Sequence, residues 1–457
     1  MINTNAGAGA VNSREIILDM LMDICEKGEY SHIVLRQTLR KYQYLDKRDR
    51  AFITRITEGT IENRILIDYV IDKFSKVKVK KMKPLIRNLL RMSVYQIMFM
   101  DSVPVSATCN EAVKLAIKRS FGQLRGFVNG VLRAVIREKD NIKLPNASEN
   151  IVDYLNVVYS MPTWIVEQLI VQYGMEEASR IVKAMSNHDD SICVRANTSK
   201  ETLSDIIKIL EEDGIEVSKS DIYENCLYLK NVDYLENIQA FNEGLISVQD
   251  LSSMLVAVIA NPKKDDVCLD LCAAPGGKAL HLWEMMNGSG KVIARDISEY
   301  KVGLIEENID RTEALGVVAE VYDATILDKD MIEKADIVIA DLPCSGLGII
   351  GKKSDIKYNI TYDSQKELVK LQRDILANAW QYVKKGGTLI YSTCTLNKEE
   401  NIENVKFIEE NYPMKKVDIS AYVPEGFCDG TAKDGYIQML PGINGTDGFF
   451  ISRFERY

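Results

Sequence analysis

Val267-Cys268-Leu269-Asp270-Leu271-Cys272-Ala273-Ala274-Pro275-Gly276-Gly277-Lys278 decides the fold. A short apolar strand over 267–271 runs into a glycine turn, and a helix is expected from Lys278. The same rhythm continues downstream. Strands are expected over 292–296, 318–322, 337–341, 388–392 and 449–453. Helices from Glu299 and over 366–383 alternate with them, the second ending before the turn at Gly386-Gly387. Short apolar strands alternating with helices specify a doubly wound α/β sheet, with ligands beyond the carboxyl ends of its strands.

Upstream the period changes. Ile17, Met20, Leu21 and Ile24 recur at i, i+3, i+4 and i+7 behind Ser13 as the expected N-cap. Similar periodicity covers 49–74, 81–99, 106–120 and 123–137, broken at Pro104. No alternating strand pattern interrupts it, so an all-α bundle is expected. The polar stretch 144–147, with Pro145, reads as a linker. Residues 151–173 and 202–213 read as helix. Residues 191–197, 215–218 and 226–229 read as extended, which makes a small α+β unit. Domains are accordingly expected at 1–142, 148–240 and 241–457.

A chain of 457 residues is long for one core, and 46% hydrophobic content is globular. Its longest apolar runs, such as 254–260, are too short to cross a bilayer. The first dozen residues have neither a basic region nor an apolar core, so no secretory signal is expected and the cytoplasm is the expected location. Nine cysteines include no paired C-x-x-C spacing, with Cys268 and Cys272 the nearest approach. Reduced thiols and no metal site are therefore expected. The net charge of −9 hides an asymmetry: residues 1–150 hold 26 Lys and Arg against 16 Asp and Glu. A basic third on an acidic body fits a nucleic-acid-binding module, and a solvated lysine-rich face fits the charge equally well. The basic residues concentrate in 73–91 and at Lys114, Lys118, Arg119, Arg125, Arg133 and Arg137.

Four strands end in, or meet, an aspartate: Asp270, Asp296, Asp323 and Asp341. The glycine turn is not G-x-G-x-x-G and is not followed by G-K-[ST], which disfavours a dinucleotide or triphosphate. An acidic residue after the second strand suits a ribose diol, and one after the third suits an exocyclic amine. Together they favour an adenosine cofactor without phosphates, such as S-adenosylmethionine, over four aspartates that merely cap helices. Two cysteines stand at the same rim, in Asp341-Leu342-Pro343-Cys344-Ser345-Gly346 and Tyr391-Ser392-Thr393-Cys394-Thr395. None of His32, His188 and His281 flanks either one, so a Cys-His protease arrangement lacks support. Methylation of cytosine C5 does need a thiol. C5 is a poor nucleophile until a thiolate adds at C6 and makes the ring an enamine.

At these residues 247–456 resemble the RsmB/NOP (Sun) family of RNA cytosine-C5 methyltransferases. Further motifs carry the resemblance: Val248-Gln249-Asp250, Asp296-Ile297-Ser298, Asp323-Ala324, Glu399-Glu400-Asn401 and Gly445-Thr446-Asp447-Gly448-Phe449-Phe450. Residues 13–140 resemble a NusB-like RNA-binding bundle, through Asp49-Arg50-Ala51-Phe52, Asn110-Glu111-Ala112-Val113 and 127–133. The middle segment is similar to the family's RRM-like unit. The resemblance implies a Rossmann-like class I methyltransferase domain that uses S-adenosyl-L-methionine, with 16S rRNA, naked or in a small-subunit particle, as substrate for a monomeric enzyme. It assigns Cys394 as nucleophile, Cys344 to product release and Asp341 to the target base. It assigns the cofactor site to Cys272, Ala273, Ala274, Pro275, Gly276, Gly277, Lys278, Asp296, Asp323 and Asp341. Two departures stand out: Asp-Leu-Pro-Cys where the family has Asp-Pro-Pro-Cys, and Lys352-Lys353-Ser354-Asp355-Ile356-Lys357 where many members have Arg and Pro. The rival readings are the same chemistry on tRNA or 23S rRNA, and a non-catalytic RNA-binding factor of the antitermination type.

Overall fold

The computed structural model describes residues 12–187, 191–232 and 234–457. Residues 1–11, where no leader was expected, and His188 lie outside the described residues. Contacts divide the chain into two compact units. One is Met1–Ser186 with Lys352–Asn359, and the other is Asn187–Gly351 with Ile360–Tyr457.

The first unit is all-α. The helices Ser13–Lys27, Ser31–Lys41, Lys47–Glu62, Arg64–Phe74, Pro84–Phe99, Val105–Lys118 and Arg125–Glu138 surround one core. The stripe Ile17, Met20, Leu21 and Ile24 is buried in it. Asn12, not Ser13, is the N-cap: its side chain accepts from the amides of Arg14 and Glu15. The periodic stretch 49–74 is two helices that share Asn63 as the residue between them. The stretch 151–173 divides in the same way. Ile151–Val158 ends before Met161 and Pro162, and Pro162 opens Thr163–Tyr173, because a proline disfavours helix in the residue before it. By their contacts these two helices and Met175–Ala184 group with the first unit. Ser160 Oγ accepts from Leu66 N at 3.0 Å.

The segment Lys352–Asn359 also belongs to this unit. Asp355 accepts from Ser31 N at 2.9 Å and Ser31 Oγ at 2.6 Å. It thereby caps a helix whose own N-cap, Tyr30, supplies no side-chain bond. Lys357 Nζ donates to Glu62 O at 2.9 Å, and the Arg64 guanidinium lies 3.5 Å from the Tyr358 ring centroid. Burial pulls the Lys357 ammonium down to about 8.

The second unit holds two sheets. The smaller is antiparallel, in the order Glu216–Lys219, Cys226–Lys230, Ile192–Ala196, Ile246–Val248. The helix Leu203–Glu212, capped by Thr202, covers it with Ile206 and Leu210. The larger sheet runs Met414–Lys416, Phe449–Arg456, Val383–Thr393, Ala335–Asp341, Val267–Asp270, Lys291–Asp296, Val317–Val321. The last five are parallel. Phe449–Arg456 joins them antiparallel and also pairs with Tyr436–Met439. The sheet is therefore mixed. Met414–Lys416 and Tyr436–Met439 were not anticipated, since strands of three or four residues are too short to show alternation. Both faces are covered. Cys268, Val292, Ile337, Ile339 and Ile390 pack on one face, and Leu269, Ile293, Val338, Leu389 and Tyr391 on the other. Among the described residues, no helix is long and apolar enough to cross a membrane.

Candidate active site

The parallel register brings the acidic strand ends to one rim. Asp270 pairs with Ala294 and Ile339, Asp296 with Val321, and Asp341 with Ser392. Asp323 follows Val317–Val321 in the next loop. Cys344 and Cys394 come just after neighbouring parallel strands, so both stand on this rim, with their sulfurs 3.2 Å apart. Three backbone bonds lace the turns together: Leu342 N to Ser392 O at 3.1 Å, Gly348 N to Cys394 O at 3.0 Å, and Gly448 N to Gly348 O at 2.9 Å. Gly348 and Gly448 meet backbone to backbone, and a Cβ on either would overlap the other.

Lys278, the first cation after the glycine turn, reaches Asp341 Oδ2 with Nζ at 2.7 Å. Ser392 Oγ donates to Asp341 Oδ1 at 2.8 Å. Burial lowers the Lys278 ammonium. The neighbouring Asp341, then Asp270 and Cys394, outweigh that and leave it above its ordinary value. A lasting positive charge thus sits beside the thiol pair. Burial pushes the Asp270 carboxyl up to about 7, with Lys278 working against it. Asp270 Oδ2 is buried without a hydrogen-bond partner among the described residues. The Cys344 thiol is held well above its ordinary pKa, first by its contact with Cys394 and then by burial.

The glycine loop is shaped for close approach. Gly276 has φ +105°, and a Cβ there would press on Ile305 Cγ2 at 3.3 Å. It opens the helix Gly277–Met285. Asp296 accepts from Ala274 N at 3.1 Å and Ile297 N at 2.8 Å, and pairs with Lys301 at 3.0 Å. Asp323 accepts from Thr325 N at 2.9 Å and Thr325 Oγ1 at 2.7 Å, which closes a local turn and not a helix start. Burial raises the Cys272 thiol, which suits packing rather than reaction.

Arg195 was not anticipated. It is almost fully buried and grips Glu284 with Nε at 2.8 Å and NH2 at 2.7 Å. Its NH1 donates to Gly277 O at 3.0 Å and also to the Gln249 side chain. The small sheet thereby props the glycine loop. A single arginine inside an expected strand carries no signal of this, although Gln249 lies in a quoted motif. Of the histidines, His281 is buried and meets Tyr223 OH at 3.0 Å, and His32 belongs to the first unit. Among the described residues, no group of three or more His, Cys, Asp or Glu could hold a metal ion, and none of the nine cysteines forms a disulfide.

Comparison with known proteins adds independent observations. The family model described as 16S rRNA methyltransferase RsmB/F matches residues 257–455. That of the NusB family matches 11–137, and that of the RsmF/B-like ferredoxin-like domain matches 161–233. A protein of Bacillus subtilis (strain 168), named probable ribosomal RNA small subunit methyltransferase B, is 36% identical over 97% of this chain and 98% of its own length. One of the same name from Synechocystis sp. is 28% identical over 98% of this chain and 100% of its own length. The solved structure titled "Crystal Structure of PH0851" superposes with a TM-score of 0.82 at 28% identity, covering 98% of this chain and 100% of that one.

Proposed function

This chain belongs to the RsmB/F family of 16S rRNA methyltransferases, and from that premise we propose that it transfers a methyl group from S-adenosylmethionine to C5 of one cytosine in 16S rRNA through a covalent bond between Cys394 and C6. The observation that carries this reading is the thiol pair itself, 3.2 Å apart beside the Lys278–Asp341 ion pair.

The residues at the rim fit the cofactor. Gly276 lets the backbone approach a ligand at a helix start. Asp296 ends its strand with a buried carboxylate suited to a ribose diol, and Asp270 Oδ2 awaits a donor. Cys272 to Lys278, Asp296, Asp323 and Asp341 would line that site. When bound, S-adenosylmethionine supplies an electrophilic methyl on a sulfonium.

The chain's own groups do the rest. Lys278 holds its positive charge near Cys394, an electrostatic partner for a sulfur that acts as nucleophile. Cys394 Sγ would bond to C6 and the C5=C6 electrons would pass to C5, which would take the methyl carbon as the methyl–sulfonium bond breaks and its electron pair stays on sulfur, leaving a neutral thioether. Asp341 accepts from the exocyclic amine of the base. Once Cys394 is bonded to carbon it no longer carries a charge, and a neutral thioether holds the neighbouring Cys344 proton less firmly than a thiolate does. Cys344, its own proton lost to solvent, then serves release: its sulfur takes the C5 proton, the C5–H electrons re-form C5=C6, and the electrons of the S–C6 bond return to Cys394 as the thiolate. In the bundle, Lys76, Lys80, Lys81 and Lys83 are exposed. They suit the phosphate backbone of RNA.

The test is methylation of 16S rRNA with labelled cofactor followed by bisulfite mapping. One labelled cytosine, together with an RNA adduct that depends on Cys394, supports the reading. Label on another base, or on a ribose, sinks it.

A further inference from the structure

We propose that Glu400 is a positioning residue that holds the two cysteine-bearing turns at their working separation. The proposal rests on the reading above, in which both thiols act. Glu400 is fully buried, while Glu399 beside it faces solvent. A buried carboxylate is costly unless its oxygens are bonded, and here each oxygen accepts two hydrogen bonds. Oε2 accepts from Ser345 N at 2.8 Å and Gln372 Nε2 at 3.0 Å. Oε1 accepts from Ser345 Oγ at 2.5 Å and Asn397 Nδ2 at 3.1 Å.

These donors come from both sides of the site. Ser345 follows Cys344 directly, and Asn397 lies in the turn after Cys394. Gln372 also donates to Pro343 O at 2.9 Å, just before Cys344. Ser345 Oγ lies 2.6 Å from Thr395 Oγ1, so the residues that follow the two cysteines touch each other as well. Tyr391 OH donates to the Glu400 carbonyl, and Asn404 Nδ2 joins Tyr391 OH at 3.0 Å to Gln372 Oε1 at 2.8 Å. Glu400 is therefore the shared acceptor on which both turns are hung. An amide at this position presents one oxygen and one NH2. One pair of donors then faces another donor, whichever way the amide turns.

The test uses the full chain and Glu400→Gln, with Glu399→Gln as a matched change of charge. Dibromobimane, which links two neighbouring thiols, reports their separation. Linked peptides identified by mass spectrometry distinguish the Cys344–Cys394 bridge from any other. We expect Glu400→Gln to slow that bridge about tenfold or more. We expect kcat for methyl transfer to fall roughly 10- to 100-fold, the scale for a displacement of about 1 Å, with KM for the cofactor within about twofold. Glu399→Gln should match the wild type in both readouts. If Glu400→Gln does not fold, Ser345→Ala carries the same test, since it removes one of these bonds and leaves the buried carboxylate otherwise held. In a folded double variant the two losses should be less than additive. Unchanged bridging in Glu400→Gln and Ser345→Ala overturns the proposal. Slower bridging with unchanged methyl transfer upholds the placement by Glu400 and overturns the two-thiol reading instead.

Discussion

In the first unit, Lys118 pairs with Glu15 and Lys114 with Glu111 at the surface, and a run of lysines over 76–83 faces solvent. At the rim of the large sheet, Asp270 and Glu400 are buried, and Lys278, only 16% exposed, is held by Asp341. Exposed pairs contribute about 0–1 kcal/mol each, are screened by salt, and leave the side chains free to move. Buried charges are fixed by their partners and act strongly at short range. The contrast separates two tasks. Holding a long polyanion needs many weak, mobile cations. Activating one sulfur needs a few immobile groups at defined distances.

The largest effect should come from the rim. Cys394→Ala should abolish both methyl incorporation and the RNA adduct, because it removes the proposed nucleophile and leaves Cys344, whose thiol is held well above its ordinary pKa. Cys344→Ala should permit addition and methyl transfer but trap an adduct stable to denaturing electrophoresis. An adduct with Cys394→Ala and none with Cys344→Ala would invert the two roles. Lys278→Met should come next, lowering kcat roughly 100-fold, the scale for removing one preorganised electrostatic group. A loss confined to KM for the cofactor would move Lys278 out of thiolate stabilisation and into binding alone. Asp296→Ala should weaken cofactor binding by roughly 1–3 kcal/mol, read by calorimetry, and an unchanged affinity removes it from the ribose role.

On the bundle side, replacing Lys76, Lys80, Lys81 and Lys83 with alanine should leave methyl transfer at saturating RNA unchanged. It should lower the slope of log affinity against log salt by up to about 3, at roughly 0.7–0.9 per phosphate contact. An unchanged slope would assign these lysines to a solvated face. The smallest effect tests a buried cation of the helical unit, Lys357. Its folded pKa, about 8, lies below its unfolded value of 10.5. The unfolded chain therefore binds more protons between these values, and stability rises with pH across that window. The wild type should gain about 1 kcal/mol over Lys357→Met between pH 8 and 9. A flat difference in unfolding free energy over that range would mean the ammonium is solvated.

Much of this was legible in the chain, for identifiable reasons. The parallel strands, the glycine turn and the seam of Ile17, Met20, Leu21 and Ile24 are local patterns, and alternation or a 3.6-residue period reports them directly. The break at Asn63 was not, because apolar periodicity continues across a one-residue interruption, and the four-residue break at 159–162 was passed over although Pro162 is itself a local signal. The short strands Ile246–Val248, Met414–Lys416 and Tyr436–Met439 owe their existence to the strands they pair with. Cys344 and Cys394 could be assigned to one rim. Glu400 stood in a quoted motif with no assigned role, since its partners are spread from Ser345 to Asn397.

By itself the sequence determined the alternation of strands and helices in the large sheet and the rim on which the thiols stand. Each of these depends on residues within a few positions of one another. Only the tertiary structure decided that the sulfurs lie 3.2 Å apart, that Arg195 props the glycine loop, and that Lys352–Asn359 belongs with the helical unit. These are closures between segments fifty to three hundred residues apart. Such closures are set by strand order and by backbone contacts such as Gly348 against Gly448. No local period records which distant partner a buried donor will find.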